Sequence, residues 1–212
     1  MLAKTPGLPA LRPGYAVAKR SLDLLAAGVG LVVLSPLMLV AAAAIKLESR
    51  GPVIFLQKRV GRDFVPFHIR KFRTMVDDAE RRGTQITAGA DPRITHVGRW
   101  LRKTKLDELP QLINIVRGEM SLVGPRPEVP RYVELMRDQY VNVLSVRPGL
   151  TDPASIKYRD ESDLLAASAD PEREYVERIL PDKIAISRAY IARATILSDL
   201  GVLFSTLLRV AR

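Results

Sequence analysis

The feature of this sequence that most constrains its fold is an uncharged apolar run of 22 residues, from Leu24 to Ile45. As an α-helix the run would be about 33 Å long, close to the thickness of the hydrocarbon core of a bilayer. Ser35-Pro36 lies near its middle, and a proline there removes a backbone hydrogen bond and kinks the helix. The run therefore predicts two helices joined by a break at Ser35 and Pro36.

Basic residues flank the apolar run on both sides. They are Lys4, Arg12, Lys19 and Arg20 before it, and Lys46, Arg50, Lys58, Arg59 and Arg62 after it. Because a single membrane span usually has its basic flank on one side only, this arrangement favours a re-entrant helix that enters the membrane and returns to the cytoplasmic face. A single span, a secretory signal peptide and a buried helix of a soluble protein are the alternatives.

The net charge of +10 is concentrated in the first half of the chain. Residues 1–106 hold 19 basic and 7 acidic side chains, whereas residues 107–212 hold 14 and 16. This imbalance predicts a local anionic partner, either lipid headgroups or a phosphorylated substrate. Nucleic acid is not expected, because aromatic residues make up only 6% of the chain and are not interleaved with the basic ones.

The residue types also limit the available chemistry. The chain has no cysteine and two histidines, which excludes a cysteine nucleophile, a thiolate zinc site and a histidine-rich metal site. Chemistry must rest on carboxylates, hydroxyls, lysines, arginines or a hard cation bound by oxygen. The sequence contains no P-loop and no Rossmann glycine motif, which argues against a standard nucleotide-triphosphate fold.

The segment pattern predicts a mostly α protein with a small β-hairpin, an α+β fold. Residues 1–18 are expected to be an irregular tail and residues 19–47 the re-entrant membrane helix. Residues 48–212 would form one compact domain that ends in an interfacial helix.

Shorter patterns place the elements of that domain. Pro52–Gln57 and Phe64–Arg73 are typical of two strands around a turn at Gly61. Val76–Arg82 resembles a short helix, and Val129–Val143 predicts one continuous helix. The last third, 183–212, mixes apolar residues with arginines, a pattern that fits either an interfacial amphipathic helix or a core helix.

Asp107-Glu108 is the strongest candidate for a catalytic pair. Pro110 follows closely, and a proline is favoured in the first turn of a helix, so both carboxylates are expected at a helix N-terminus. An anion is stabilised there, and adjacent helical side chains do not face each other, so the two acids should have different roles. An ionised aspartate can attack phosphorus when a divalent cation and arginines offset the repulsion between anions. Helix capping is the alternative interpretation.

Arg126 is the strongest candidate for a phosphate ligand. It lies between Pro125 and Pro127, which hold its backbone extended and preorganise the guanidinium. Further residues that could complete a diphosphate site are Lys71, Arg73, Arg99, Arg102 and Arg147. Each of these five, taken alone, is more typical of an ordinary surface position.

Six segments together resemble one known family. They are KRSLDL (19–24), Ser35-Pro36, PVIFLQKRVGR (52–62), KFRTM (71–75), DPRITHVGRWLRKTKLDELPQLINIVRGEMSLVGPRPE (91–128) and RPGLTDPASIK (147–157). With them the chain, from about Lys19 to its end, resembles the monotopic phosphoglycosyl transferases of bacteria, which start lipid-linked glycan assembly. The long central segment is the most specific of the six.

The resemblance implies a reaction and roles for several residues. A UDP-sugar would give its phosphosugar to a polyprenol phosphate, with undecaprenyl phosphate expected, and release UMP. Asp107 would be the nucleophile that carries the phosphosugar and would hold Mg²⁺, while Glu108 would assist it. Arg102 and Arg126 would bind substrate phosphates, and Lys71 is a weaker match to such a position.

The resemblance also implies where the protein is located, and the sequence differs from the family pattern at one place. The protein would be a minimal catalytic form, monotopic on the cytoplasmic face of the bacterial inner membrane, in contact with its lipid, and a homodimer is a further expectation. Asp152-Pro153-Ala154 stands where the family often has glycine followed by an aromatic residue. The alternative function, from another class, is a non-catalytic scaffold that binds the membrane surface through its basic half.

Overall fold

The apolar run folds into two helices, α1 (Pro13–Val33) and α2 (Ser35–Glu48), in a computed structural model that describes residues 13–79, 89 and 91–210. The helices meet at Leu34 with a bend of 60°. Pro36 lies in the first turn of α2, where its missing N–H breaks no helical hydrogen bond. The Ser35 hydroxyl donates to the Val32 carbonyl over 2.8 Å and so satisfies one free acceptor at the end of α1.

The length and apolar composition needed to cross a membrane are found in no single helix of the described part of the chain. The bent pair formed by α1 and α2 meets that requirement jointly.

Helix α1 begins earlier than the sequence predicts. Residues 13–18 are helical, although they belong to the segment expected to be an irregular tail. The physical reason is a set of contacts with the far end of the chain: the Tyr15 hydroxyl and Lys19 Nζ donate to Asp199 Oδ2 over 2.9 and 2.6 Å. Residues 1–12 of the predicted tail lie outside the described residues.

Two small sheets support the middle of the chain. Strands β1 (Ile54–Val60) and β2 (Pro66–Phe72) pair antiparallel, as the sequence predicts, with Gln57 opposite Ile69. Strands β3 (Ser121–Val123) and β4 (Gly149–Thr151) pair parallel, a contact between distant segments that no local pattern indicates.

The remaining elements are helices, so the protein is mostly helical with a small antiparallel hairpin. They are α3 (His96–Lys103), α4 (Gln111–Val116), α5 (Pro130–Leu135), α6 (Arg137–Val143), α7 (Pro153–Lys157), α8 (Glu161–Ala166), α9 (Pro171–Glu174), α10 (Leu180–Arg193) and α11 (Ile196–Val210).

Two of the helix predictions differ from the structure. The single helix predicted over Val129–Val143 is divided at Met136, whose backbone is not helical, into α5 and α6. The segment predicted as helix from Val76 begins with a turn at residues 77 and 78, and residues 80–88 lie outside the described residues.

The last two helices have different environments. Helix α10 buries Leu180, Ile184 and Ile191 and is a core helix. Helix α11 instead leaves Leu197 and Phe204 exposed, at 80% and 64% of their surface. The C-terminal region therefore combines a core helix with a helix that has a solvent-facing apolar side.

Candidate active site

The two candidate carboxylates lie in a single 3₁₀ turn, Leu106–Glu108, between α3 and α4. Lys105 precedes it in the left-handed conformation, with φ at 57°, which is strained for a residue with a side chain and reverses the chain after α3. Pro110 is the N-cap of α4, so the carboxylates precede that helix instead of lying within its first turn. Leu106 and Leu109 on either side pack into the core and fix the turn in place.

Glu108 binds two of the predicted phosphate ligands. Its Oε1 accepts from Lys71 Nζ on β2 over 3.2 Å and from Arg126 Nη2, and its Oε2 accepts from Arg126 Nη1 over 3.2 Å. Burial alone would raise the pKa of Glu108, but the charges of Arg126 and Lys71 outweigh it and lower that pKa well below the usual range. Glu108 is therefore ionised and holds both cations at one point.

Asp107 has the opposite environment. Its side chain is buried, and Oδ1 has no hydrogen-bond partner in the part of the chain that the structure describes. Burial raises the pKa of Asp107 above its usual range; Lys71 opposes this rise, and the charge of Glu108 adds to it. A buried carboxylate oxygen without a partner is rare in folded proteins and marks a group kept free for a ligand or a reaction.

Arg102 reaches the pair from α3. Its Nε donates to Thr74 Oγ1 over 3.1 Å. Burial lowers the pKa of Arg102, and the charge of Asp107 opposes this effect more strongly than that of any other residue. Gly98 permits this arrangement, because a Cβ at that position would lie 2.1 Å from the Thr74 carbonyl oxygen. The absence of a side chain at Gly98 thus brings α3, and Arg102 with it, next to the carboxylates.

Three further charged residues near the site were not predicted from the sequence as site residues. Asp91 and Arg93 form an ion pair with a closest distance of 2.6 Å, and both charges act on Arg102. Arg59 Nη1 donates to the Pro127 carbonyl and to Glu128 Oε1 over 3.0 and 3.2 Å, and so anchors the loop that carries Arg126. Arg59 lies within PVIFLQKRVGR (52–62), one of the segments that carry the family resemblance. That resemblance is the sequence signal that could have indicated a role for Arg59 at the site.

Three predicted phosphate ligands are placed elsewhere. Arg147 Nε donates to the Gly118 carbonyl over 2.8 Å, and the charges that act on it are those of Arg62, Arg20 and Asp23. Arg73 is buried and donates to the carbonyls of Ser49 and Arg50 after α2, and Arg99 is exposed. The structure therefore brings Lys71, Arg102 and Arg126 to the carboxylates and leaves these three outside.

The departure at Asp152 has a structural explanation. Asp152 is 1% exposed; its Oδ1 accepts from the Ser155 backbone N–H over 2.7 Å and so caps α7, with Pro153 in the first turn. Its Oδ2 accepts from the backbone N–H of Arg126 over 3.4 Å. The aspartate thus stabilises both α7 and the Arg126 loop.

Comparison with known proteins places this site in a family. A family model described as bacterial sugar transferase matches residues 14–212. The chain belongs to this family. It is 44% identical over 168 residues to the UDP-N-acetylgalactosamine-undecaprenyl-phosphate N-acetylgalactosaminephosphotransferase of Aeromonas hydrophila, covering 78% of this chain and 38% of that protein.

Two other relatives differ in the fraction of their own length that this chain covers. Exopolysaccharide production protein ExoY of Rhizobium meliloti is 37% identical over 214 residues, covering 93% of this chain and 87% of that protein. The UDP-glucose:undecaprenyl-phosphate glucose-1-phosphate transferase of Caulobacter vibrioides is 42% identical over 160 residues, covering 74% of this chain and 60% of that protein. The chain thus spans less than two thirds of the Aeromonas and Caulobacter proteins.

One carboxylate of the site fits the Mg²⁺ that the family resemblance implies. Among the described residues, no group of three or more histidines and carboxylates could hold a metal ion. Mg²⁺ commonly binds through one or two carboxylates together with substrate phosphates and water, so a complete protein cage is not required. The Asp107 carboxylate, whose Oδ1 is buried and has no hydrogen-bond partner among the described residues, is the group that fits this role.

Proposed function

We propose that this sugar transferase moves the phosphosugar of a UDP-sugar onto polyprenol phosphate and releases UMP. The observation that carries the proposal is the pairing of a buried Asp107 oxygen without a partner and an adjacent Glu108 that holds Lys71 and Arg126. The names of the relatives from Aeromonas and Caulobacter, which contain undecaprenyl phosphate and a UDP-sugar, support this choice of substrates.

In the first half-reaction, Asp107 Oδ1 attacks the sugar-bearing phosphorus of the UDP-sugar. A bond forms between that oxygen and phosphorus, and the bond from phosphorus to the bridging oxygen breaks with its electrons passing to UMP. The diphosphate oxygens are bound by Arg126, Lys71 and Arg102. These oxygens compete with Glu108 for Arg126 and Lys71. Glu108 remains ionised, which favours a role as base or as electrostatic partner over a role as acid.

In the second half-reaction, a phosphate oxygen of polyprenol phosphate attacks the phosphorus bound to Asp107. The bond from Asp107 to phosphorus breaks, which restores the carboxylate and forms the polyprenyl diphosphate sugar. One diphosphate link replaces another, so no ATP is required. Mg²⁺ held at Asp107 would supply positive charge that offsets the repulsion between the reacting anions.

The exposed apolar surface supports attachment to the membrane from the cytoplasmic face. In α1 and α2, Val32 and Leu39 are 74% and 70% exposed, and α11 adds Leu197 and Phe204. A soluble monomer rarely leaves so large an apolar surface in water. The bent α1–α2 pair would enter one leaflet and return, with α11 lying at the interface.

The test is release of UMP by the purified protein, with undecaprenyl phosphate and Mg²⁺ in detergent. The donors should include UDP-glucose and UDP-N-acetylgalactosamine, the sugars in the names of the relatives. We expect turnover with at least one donor and ping-pong kinetics, because the phosphosugar rests on the enzyme between the two steps. Absence of turnover with every donor would favour the scaffold function instead.

A further inference from the structure

A second basic site lies on the other side of α1 from the apolar surface. It is a cavity of about 90 Å³ between α1, β3, the loop before β4 and the end of α10. The charged residues that line it are Lys19, Arg20, Asp23, Arg62 and Arg147. None of them contacts Asp107 or Glu108 in the described part of the chain, so the proposed transfer reaction leaves this cavity without a function.

Positive charge dominates this cavity. Lys19 is neutralised by Asp199, and Arg62 forms only a solvent-exposed pair with Asp63, of the kind that contributes little. Arg20 donates to the carbonyls of Ile115 and Val116, and Arg147 Nε donates to that of Gly118. Neither of these two arginines takes part in an ion pair among the described residues.

Three guanidinium groups close together repel one another unless an anion lies between them. Asp23 is the single acidic residue lining the cavity, and its Oδ1 already accepts from the Leu122 backbone N–H over 3.0 Å. The volume of about 90 Å³ is well above the roughly 10–15 Å³ that one water requires, so it has room for a phosphate-sized group. Guanidinium groups suit such an occupant because they donate in pairs to phosphate oxygens.

The position of the cavity along α1 indicates the source of the phosphate. Arg20 precedes Leu24, the first residue of the apolar run, by four positions, which is about 6 Å along a helix. With α1 inserted at Leu24, the cavity would lie at the depth of lipid headgroups. The lipid source depends on the proposed membrane attachment, whereas the phosphate chemistry does not.

We propose that this cavity is a phosphate-binding site, filled by the headgroup of a bilayer phospholipid. Arg62 and Arg147 would donate to the phosphate oxygens, with Arg20 adding positive charge behind them. The site would fix the depth and orientation of α1 in the membrane, and hence the position of the catalytic residues relative to a lipid substrate.

The test compares Arg62→Ala, Arg147→Gln and the double variant with the wild-type protein. Each protein is extracted from phosphatidylglycerol vesicles, and the phospholipid retained per chain is measured by native mass spectrometry. We expect one retained lipid in the wild type and about tenfold weaker retention for each arginine removed, the change expected for loss of one charge-assisted hydrogen bond. Arg137→Ala, which removes an exposed arginine paired with Glu134, is the matched control and should retain lipid normally.

A second arm separates the two sources of phosphate. Inorganic phosphate is titrated against lipid-free protein, where binding that the double variant lacks supports the site. Retention of lipid that is equal in the wild type and the double variant, together with no phosphate binding, would overturn the proposal. Phosphate binding without lipid retention would overturn the lipid source alone. Arg62 is exposed, so its variant remains informative if Arg147→Gln fails to fold.

Separate measurements distinguish failure of this proposal from failure of the proposed function. Flotation of the wild-type protein with vesicles tests membrane attachment, and UMP release tests the transferase. A protein that floats and turns over but does not retain lipid through these arginines contradicts only the phosphate site.

Discussion

At the scale of single residues, two adjacent carboxylates acquire opposite properties from their surroundings. Glu108 receives Lys71 and Arg126, which lower its pKa, whereas Asp107 is buried without a partner for Oδ1 and has a raised pKa. A carboxylate with few hydrogen bonds is a better nucleophile than one already bound by cations. The different roles that the sequence predicts for the pair thus have a physical basis in burial and charge.

Asp107→Asn should abolish UMP release and also stabilise the protein at neutral pH. A carboxyl group with a raised pKa contributes stability below its ordinary pKa of about 3.9 and loses it as the pH rises through the raised value. Above that raised pKa the ionised Asp107 is therefore destabilising, and asparagine removes its charge. We expect the melting temperature to rise by about 2–4 °C, as for about 1 kcal/mol in a domain of this size.

Thermal unfolding in detergent from pH 4 to pH 8 measures this effect. The rise in melting temperature caused by Asp107→Asn should become smaller toward acid pH, where Asp107 is protonated in the wild type. Asp160→Asn, at an exposed aspartate, is the control for loss of one negative charge. If Asp107→Asn retained wild-type turnover, this result would show that Asp107 is not the nucleophile.

Glu108→Gln should have the opposite effect on stability. A carboxyl group with a lowered pKa contributes stability above its ordinary pKa of about 4.3 and loses it as the pH falls through the lowered value. Its contribution is complete at pH 7, so the variant should be less stable there by about 1–3 kcal/mol, the range for hydrogen bonds to a charged group. Chemical denaturation at pH 7 and pH 4 measures the free energy of unfolding. If Glu108→Gln stabilised the protein at pH 7, as Asp107→Asn should, the assignment of Glu108 as the ionised member of the pair would be contradicted.

At the scale of elements, the position of α3 decides the geometry of the site. Its close approach to Thr74 depends on Gly98, and its last turn carries Arg102 to the carboxylates. No local sequence pattern predicts which segment α3 packs against, because that depends on a contact with Thr74, which is distant from Gly98 in the chain.

Gly98→Ala should destabilise the protein by about 2–3 kcal/mol, as expected for overpacking against an immobile backbone. The added methyl group would lie 2.1 Å from the Thr74 carbonyl oxygen and must push α3 away from it. UMP release should fall as well, because Arg102 would lose its contact with Thr74. Denaturant unfolding and a turnover assay measure the two effects.

Gly201→Ala in α11 is the matched control for this substitution. A Cβ at Gly201 would meet no atom within 4 Å, and alanine stabilises an exposed helix position by roughly 0.5–1 kcal/mol relative to glycine. Equal effects of the two substitutions would show that the contact between α3 and Thr74 is not tight.

At the scale of the whole molecule, the two exposed apolar surfaces are fixed relative to each other. Asp199 on α11 accepts from Tyr15 and Lys19 on α1 and from Tyr190 on α10. This buried carboxylate joins the three helices, so the apolar sides of α1–α2 and α11 move as one unit. Such a unit suits attachment to a single face of a membrane.

Single-cysteine labelling tests this attachment, since the chain has no cysteine of its own. We introduce Gly14→Cys before the apolar run and Lys58→Cys after it, both at exposed positions. Both should be protected from an impermeant thiol reagent in cells with a permeabilised outer membrane, and both should react after lysis. Labelling of one position alone in intact cells would indicate a helix that crosses the membrane.

The sequence by itself determined the local properties of this protein. It placed the break near Pro36, the hairpin, the carboxylate pair and the family, because backbone preferences and motifs depend on near neighbours. The tertiary structure decided the ionisation of the pair, since Glu108 receives its cations from 37 and 18 residues away. It also placed Arg147 in a second basic cavity and left the apolar side of α11 exposed, because charge and burial depend on which distant segments fold together.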